Sequence, residues 1–176
     1  MGAMESSSRE TSPDTKSQAQ ALINWDLAAS TAARLTPAGP SLGSKEIGAA
    51  VENLRLMADI SVPHVHDITG LEAARDLRDS SVLVVDRASW AKANTQSFAV
   101  MLQPAIEKML EGRRGTVTPG AASVGGAITG SQLGAILAFL SSKVLGQYDP
   151  FSALAENSTA PAAGRLLLVA PNIVAV

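Results

Sequence analysis

The sequence has 176 residues, 46% of them hydrophobic, and a formal net charge of −2. This length suffices for one domain with a moderate core, and the slightly acidic balance excludes the basic footprint of a nucleic-acid-binding protein. The absence of cysteine excludes disulfides, thiolate zinc sites and cysteine nucleophiles, and is typical of a cytoplasmic protein. Because aromatic residues make up only 3%, we expect a mainly α protein with a few short strands, of the α+β class.

The polar N-terminal segment precedes the first hydrophobic periodicity. Residues 1–18 are rich in serine and threonine, so we expect a disordered tail, followed by one mostly helical domain over residues 19–176. A row of residues at four-residue spacing, Ile23, Leu27, Thr31 and Leu35, predicts the first helix.

A second helix is predicted to begin at Ser44, which would serve as its N-cap. Its apolar stripe consists of Ile47, Ala50, Val51, Leu54 and Ala58. Proline is favoured in the first turn of a helix, so Pro63 predicts a third, short helix that Gly70 would close.

A short β-prone run, residues 82–85, ends at Asp86, which is well placed to cap a long helix over residues 87–111. The apolar residues of this helix are expected to form its buried face: Phe98, Met101, Leu102, Ala105, Ile106 and Met109. Pro104 lies among them, and we expect a kink or a break there.

Residues 115–142 carry no charge. A membrane span needs about twenty predominantly apolar residues, and this segment is interrupted by polar residues and glycines, so a buried helix of a soluble core is favoured. Its large residues, Leu133, Ile136, Leu137, Leu140 and Val144, form one stripe. A second row contains only small residues: Gly126, Gly130, Gly134 and Ala138. Small residues let a neighbouring backbone approach closely, so we expect this row to pack against another helix.

The segment after this helix contains the most interesting polar cluster. Gln147, Tyr148 and Asp149 are predicted to form a loop. One interpretation is a local turn with structural hydrogen bonds, and the other is a candidate cleft or binding loop that faces a ligand or partner. Residues 165–169 then predict a strand buried on both faces, and Asn172 could cap a further helix.

His64 and His66 could bind zinc if a third ligand came from elsewhere. On a helix, however, residues i and i+2 point roughly 200° apart. A solvated helix start is therefore favoured, and no metal site is assigned. No serine lies in a Gly-x-Ser-x-Gly elbow and no glycine-rich segment ends in Gly-Lys-Ser/Thr, so no catalytic residue is assigned either.

Several segments, taken in order, resemble one protein family. They are Trp25-Asp26-Leu27-Ala28 with Arg34-Leu35-Thr36-Pro37; Asp67-Ile68-Thr69-Gly70-Leu71; Val85-Asp86-Arg87 with Trp90 and Asn94; and Leu145-Gly146-Gln147-Tyr148-Asp149-Pro150-Phe151 leading to Leu166-Leu167-Leu168-Val169-Ala170-Pro171-Asn172. From roughly Trp25 to Val176 the sequence resembles the actinobacterial zincin-like metallopeptidases, hydrolases associated with biosynthesis of the deazaflavin coenzyme.

The resemblance implies that this chain is the N-terminal helical part of a zincin-like fold. In that family a His-Glu-x-x-His helix follows and supplies the zinc ligands and the glutamate that activates water, and the present sequence ends before such a motif. Zinc is therefore implied for the full-length family, whereas no cofactor is expected in this chain. The expected partners of this truncated scaffold are its own C-terminal catalytic segment or a second copy. The alternative is a self-sufficient helical protein-interaction module.

Overall fold

The computed structural model describes residues 22–71, 81–111, 119–154 and 164–174. The helices in these ranges are α1 (Trp25–Leu35), α2 (Ser44–Thr69), α3 (Arg87–Glu111), α4 (Pro119–Ser141) and α5 (Ala170–Ile173), with a 3-10 helix at Phe151–Leu154. The strands are β1 (Ser81–Val85), β2 (Gly146–Asp149) and β3 (Arg165–Val169). This mainly helical architecture with a small sheet confirms the predicted fold class. The predicted tail at residues 1–18 lies outside the described residues.

The sheet has the strand order β1-β3-β2. The two strands predicted from hydrophobic runs, β1 and β3, pair in parallel with Val85 beside Val169. The segment Gly146–Asp149, predicted as a loop, instead forms β2 and pairs antiparallel with β3, with Gln147 beside Leu167. The loop prediction was wrong because this segment has no hydrophobic run of its own. It becomes a strand by pairing its backbone with an edge of β3.

Capping residues set several helix boundaries. The Asn24 side chain accepts the N–H of Leu27 at 2.8 Å and starts α1. The Asp86 carboxylate accepts the N–H of Ser89 at 2.6 Å, which confirms the predicted cap of α3. Gly70 ends α2 in the left-handed conformation at φ 63°, which a residue without Cβ adopts at little cost. The predicted cap Ser44 is instead the first helical residue, and Gly43 precedes it in the N-cap position.

The predicted third helix does not exist as a separate element, because α2 continues through Pro63 to Thr69. A proline inside a helix removes one backbone hydrogen bond and crowds the preceding turn, but the hydrogen bonds on either side can keep the helix continuous. Of the kink or break predicted at Pro104, a break is not observed, since α3 runs unbroken to Glu111.

The core lies where α1, α3, α4 and the sheet meet, around Ala32, Trp90, Leu137, Leu167 and Val169. The small-residue row of α4 is buried along its whole length and lies against α1. A Cβ at Gly134 would stand 2.5 Å from the Ala28 carbonyl oxygen and 2.7 Å from the Thr31 Cβ. The two helix backbones are therefore in direct contact, and no larger side chain fits between them.

Burial on α3 differs from the prediction. The buried residues belong to its first three turns: Trp90, Ala91, Ala93, Asn94, Thr95 and Ser97. Of the predicted face, Met101 and Met109 are 40% and 59% exposed. A hydrophobic stripe is buried only where a neighbouring element covers it, and the described elements cover the first half of α3.

Two helices keep apolar surface uncovered. Among the residues of α2, all of which the structure describes, only Ala58 is buried, while Leu56 and Ile60 are 54% and 44% exposed. On α4, Ile136 and Leu140 of the predicted large-residue stripe are 55% and 38% exposed, so this stripe is buried only in part, and Phe139 outside it is 66% exposed.

By length and composition, residues 123–141 of α4 also pass for a membrane span, with a mean hydropathy of 1.4. The core helix of a soluble protein passes the same test, and α4 packs one face on α1.

Candidate functional site

The predicted polar cluster lies on β2, where alternate side chains point to opposite sides of the sheet. Gln147 and Asp149 face α3, on which Trp90, Asn94 and Ser97 are spaced i, i+4 and i+7 and so share one face. Alternate residues of β2 therefore face residues on one side of α3, and the groups between the strand and the helix are polar.

The Gln147 side-chain amide both accepts and donates a hydrogen bond. Its Oε1 accepts the indole N–H of Trp90 at 3.1 Å, and its Nε2 donates to the Asn94 Oδ1 at 2.9 Å. Asn94 in turn donates to the Trp90 carbonyl oxygen at 3.0 Å. Because Trp90 and Asn94 are buried, these bonds satisfy polar groups that would otherwise be desolvated without a partner.

The Asp149 carboxylate is 2% exposed and compensated by several donors. Its Oδ2 accepts the Ser97 hydroxyl at 2.7 Å and the Arg165 Nε at 3.0 Å, and its Oδ1 accepts the Phe151 N–H at 3.1 Å. Arg165 is the first residue of β3, so the ion pair ties β2 and β3 together while Ser97 ties both to α3. A buried charge is tolerated only when it is paired and hydrogen-bonded in this way.

Tyr148 occupies the opposite face of β2 and is 43% exposed. Its hydroxyl oxygen lies close to Gly164, where an added Cβ would stand 3.1 Å away. Gly164 itself adopts a positive φ of 86°, which favours glycine. The structure therefore separates the three predicted site residues: Gln147 and Asp149 hold the interior, and Tyr148 faces outward.

A second polar network, which the residue patterns did not reveal, surrounds Asn172. The Asn172 side chain is buried and donates to the carbonyl oxygens of Ser141 and Val144, both at 2.7 Å. Its Oδ1 accepts the Arg87 Nε at 2.7 Å. Asn172 lies inside α5, so the prediction that it caps a helix was wrong.

Arg87 extends this network to the segment after α1. Its guanidinium donates to the carbonyl oxygens of Pro37 and Ala38 at 3.2 and 2.7 Å. One arginine thus joins the segment after α1, the start of α3 and α5. The signal in the sequence was a charged residue directly after the Asp86 cap, but its partners are 49, 50 and 85 residues away along the chain.

The two histidines do not form a site with each other. Both lie on α2, and the Nδ1 of His66 is 3.0 Å from the Leu71 carbonyl oxygen just beyond the helix end. No group of three or more histidine, cysteine, aspartate or glutamate side chains suited to a metal ion occurs among residues 22–71, 81–111, 119–154 and 164–174.

The sequence was compared with known protein families. The family described as zincin-like metallopeptidase matches residues 23–176, which is most of the sequence. The chain belongs to the zincin-like metallopeptidase family. No curated protein and no solved structure gave a significant match.

The family implies zinc, and the residues described here do not fit such an ion. Zinc sites are built from three or four histidine, cysteine or carboxylate ligands. This zincin-like chain has two histidines and no cysteine, and the histidines diverge around a helix. The residues that carry the resemblance instead make the two hydrogen-bond networks, through Arg87, Trp90, Asn94, Gln147 and Asp149.

Proposed function

We propose that this chain is the N-terminal scaffold region of a zinc-dependent metallopeptidase or hydrolase and is not catalytic by itself. One observation carries the proposal: the motif residues of this family member are engaged in holding α3, β2 and β3 together rather than lining a reaction site. Gln147 and Asp149 use their polar atoms on Trp90, Asn94, Ser97 and Arg165. Such residues stabilise a framework to which catalytic groups are added.

The proposed partner is the chain's own C-terminal catalytic segment, or else a second copy. A catalytic segment would cover apolar side chains such as Phe139 on α4 and Ile60 on α2, which are exposed in this structure. Tyr148, exposed on the outer face of β2, is proposed to face that segment or a ligand.

The test compares this chain with a version extended by about a hundred residues of the following reading frame, a length typical of domain size. We expect a His-Glu-x-x-His sequence in the added part, with close to one zinc per extended chain and none in the short chain. Metal analysis after dialysis and a peptide-hydrolysis assay measure both. Stoichiometric zinc in the short chain that disappears in a His64→Ala variant would contradict the proposal.

The alternative function is a self-sufficient helical protein-interaction module. The uncovered apolar residues of α2 favour it, because exposed apolar stripes of this kind bind partner helices. A monomeric short chain with a sharp cooperative melt, together with a reading frame that contains no zinc motif, would support the module and contradict the scaffold.

The resemblance also supports a finer proposal. We propose an actinobacterial origin, a cytoplasmic location and a role associated with biosynthesis of the deazaflavin coenzyme. Deleting the gene should lower the cellular content of that coenzyme, and cell fractionation should recover the protein in the cytoplasm. An unchanged coenzyme content would contradict the association.

A further inference from the structure

A cavity of about 240 Å³ opens between α2, the end of β1 and α5. Its apolar wall includes Leu42, Ile47, Ala50, Val51, Val85 and Pro171. The cavity is smaller than the roughly 300–1,000 Å³ of sites that hold a drug-sized ligand or cofactor. Its size and lining suit one aliphatic side chain.

The cavity lies at the carboxyl ends of two parallel strands. β1 ends at Val85 and β3 at Val169, and the residues that follow each strand, Asp86 and Ala170, line the opening. In sheets with parallel strands, ligands bind outside these carboxyl ends because the chain turns away there and leaves a crevice.

One wall of the cavity is fixed by hydrogen bonds. The segment that contains Pro40 and Leu42 follows Pro37 and Ala38, whose carbonyl oxygens accept from Arg87. The same segment packs tightly on α5, since a Cβ at Gly39 would stand 2.7 Å from the Pro171 Cβ. A wall held in place before binding lowers the entropy cost of binding.

Asp86 is the one acidic residue among those that line this apolar cavity. Asp86 is exposed, and its Oδ1 accepts the Ser89 N–H. The guanidinium of the adjacent Arg87 is directed to Asn172 and to the carbonyl oxygens of Pro37 and Ala38. The ligand that complements this arrangement has an aliphatic group with a cation directly beside it.

We propose that this cavity binds the N-terminal residue of a peptide whose first side chain is aliphatic and of about leucine size. The side chain fills the cavity, and the α-ammonium pairs with Asp86. An α-amino group with its ordinary pKa of about 7.7–8.0 is mainly protonated at slightly acidic pH. The choice of a peptide over another aliphatic amine rests on the proposed function. The size and apolar lining of the cavity and the negative charge of Asp86 are independent of that function.

The test titrates the isotopically labelled full chain with the tripeptide Leu-Ala-Ala and follows its backbone NMR signals. Saturable shifts are expected around Ala50, Asp86 and Pro171, with millimolar affinity. Ala50→Phe fills the cavity and should weaken binding at least about tenfold, since hot-spot contacts carry most of the affinity. Ala49→Phe is the matched control, because Ala49 is exposed on the same helix and does not line the cavity.

The contribution of the Asp86 charge is tested separately, with a substitution that keeps the fold. Asp86→Asn retains the helix cap, for which asparagine serves as well as aspartate, and should weaken binding about fivefold or more through loss of the ion pair. N-acetyl-Leu-Ala-Ala should be weaker by a similar factor, and Ser-Ala-Ala should not saturate. Circular dichroism and melting of each variant establish that it is folded.

Three outcomes would overturn the proposal. The first is the absence of saturable shifts, and the second is equal binding by the Ala50→Phe and Ala49→Phe variants. The third is a shift of the same signals with protein concentration alone, which would assign the cavity to a second copy. The titration uses neither metal nor activity, so its failure is distinct from failure of the zinc measurement above.

Discussion

Two glycines of α4 differ in their surroundings by a wide margin. A Cβ at Gly134 would overlap α1, whereas a Cβ at Gly125 would meet nothing within 4 Å. Gly134→Ala should therefore lower the free energy of unfolding by about 1–3 kcal/mol through overpacking. Gly125→Ala is the matched control and should raise it by up to about 1 kcal/mol, because alanine is the better helix former. Urea denaturation measures both, and equal effects would contradict direct backbone contact between α1 and α4.

The same packing separates a second pair of substitutions. A Cβ at Gly130 would overlap the Asn24 carbonyl oxygen, so Gly130→Leu should cost about 3 kcal/mol or more, at or beyond the upper end of overpacking costs. Leu133→Met conserves volume at a half-buried position and should cost less than about 1.5 kcal/mol. Thermal melts compare them, and similar melting temperatures would show that the small-residue row tolerates large side chains.

The buried side chain of Asn172 needs both an N–H donor group and an oxygen acceptor. It donates twice to carbonyl oxygens and accepts once from Arg87. Asn172→Asp keeps the shape but replaces both donors with an acceptor facing carbonyl oxygens. We expect a loss of about 3 kcal/mol or more in the free energy of unfolding, since unsatisfied buried groups cost about 1–3 kcal/mol each and charged ones more. Asn53→Asp, at an exposed position of α2, is the control. Equal denaturation midpoints for the two variants would remove Asn172 from the network.

At the scale of elements, α2 is the least supported helix. Its described residues bury Ala58 alone, and Pro63 interrupts its hydrogen-bond ladder. Pro63→Ala restores one hydrogen bond on an exposed surface and should raise helicity and stability by up to about 3 kcal/mol, the cost of an interior proline. Pro119→Ala is the control, because Pro119 is the first residue of α4, where proline is tolerated.

Circular dichroism at 222 nm and thermal melting check this prediction. A Pro63→Ala variant that melts at the same temperature as the parent chain would mean that Pro63 does not weaken α2.

The attachment of β2 to α3 is the second feature at this scale. Removing the Asp149 carboxylate would leave the Arg165 guanidinium without its 3.0 Å partner, and breaking a buried pair costs more than the pair contributes. The strand contains only four residues. Its place in the sheet therefore depends on these side-chain bonds as well as on the ladder with β3.

At the scale of the whole molecule, the exposed apolar faces predict association. Val124, Ile128 and Phe139 lie on the side of α4 away from α1 and are 62%, 55% and 66% exposed. Exposed apolar side chains on one helix face favour interaction surfaces or aggregation. The 176-residue chain should therefore associate in light scattering and bind a hydrophobic dye, and a version extended by the following segment should do neither. A monomeric short chain without dye binding would contradict the proposed scaffold.

The N-terminal segment remains a prediction from composition. Deleting residues 1–18 should leave the melting temperature unchanged, because their sequence is mostly polar and has no periodic apolar pattern that could add to a core. A large drop in melting temperature would show that this segment packs on the domain.

By itself, the sequence determined the elements whose signals are local. The bounds of α3, the cap at Asp86, the left-handed end at Gly70, and the strands β1 and β3 all follow from residue types within a few positions of each other. The family resemblance was also visible in the sequence, and the family comparison confirmed it at the level of zincin-like metallopeptidases.

Only the tertiary structure decided where distant groups meet. It made Gly146–Asp149 a strand, because pairing with β3 outweighed a segment with no β pattern of its own. It kept α2 continuous through Pro63 and left the second half of α3 only partly buried, because burial depends on neighbours that a periodic pattern does not specify. It also joined Arg87 to Asn172, and Asp149 to Ser97 and Arg165. These contacts hold elements of the fold together, since buried polar groups take whichever partners the packed chain brings within reach.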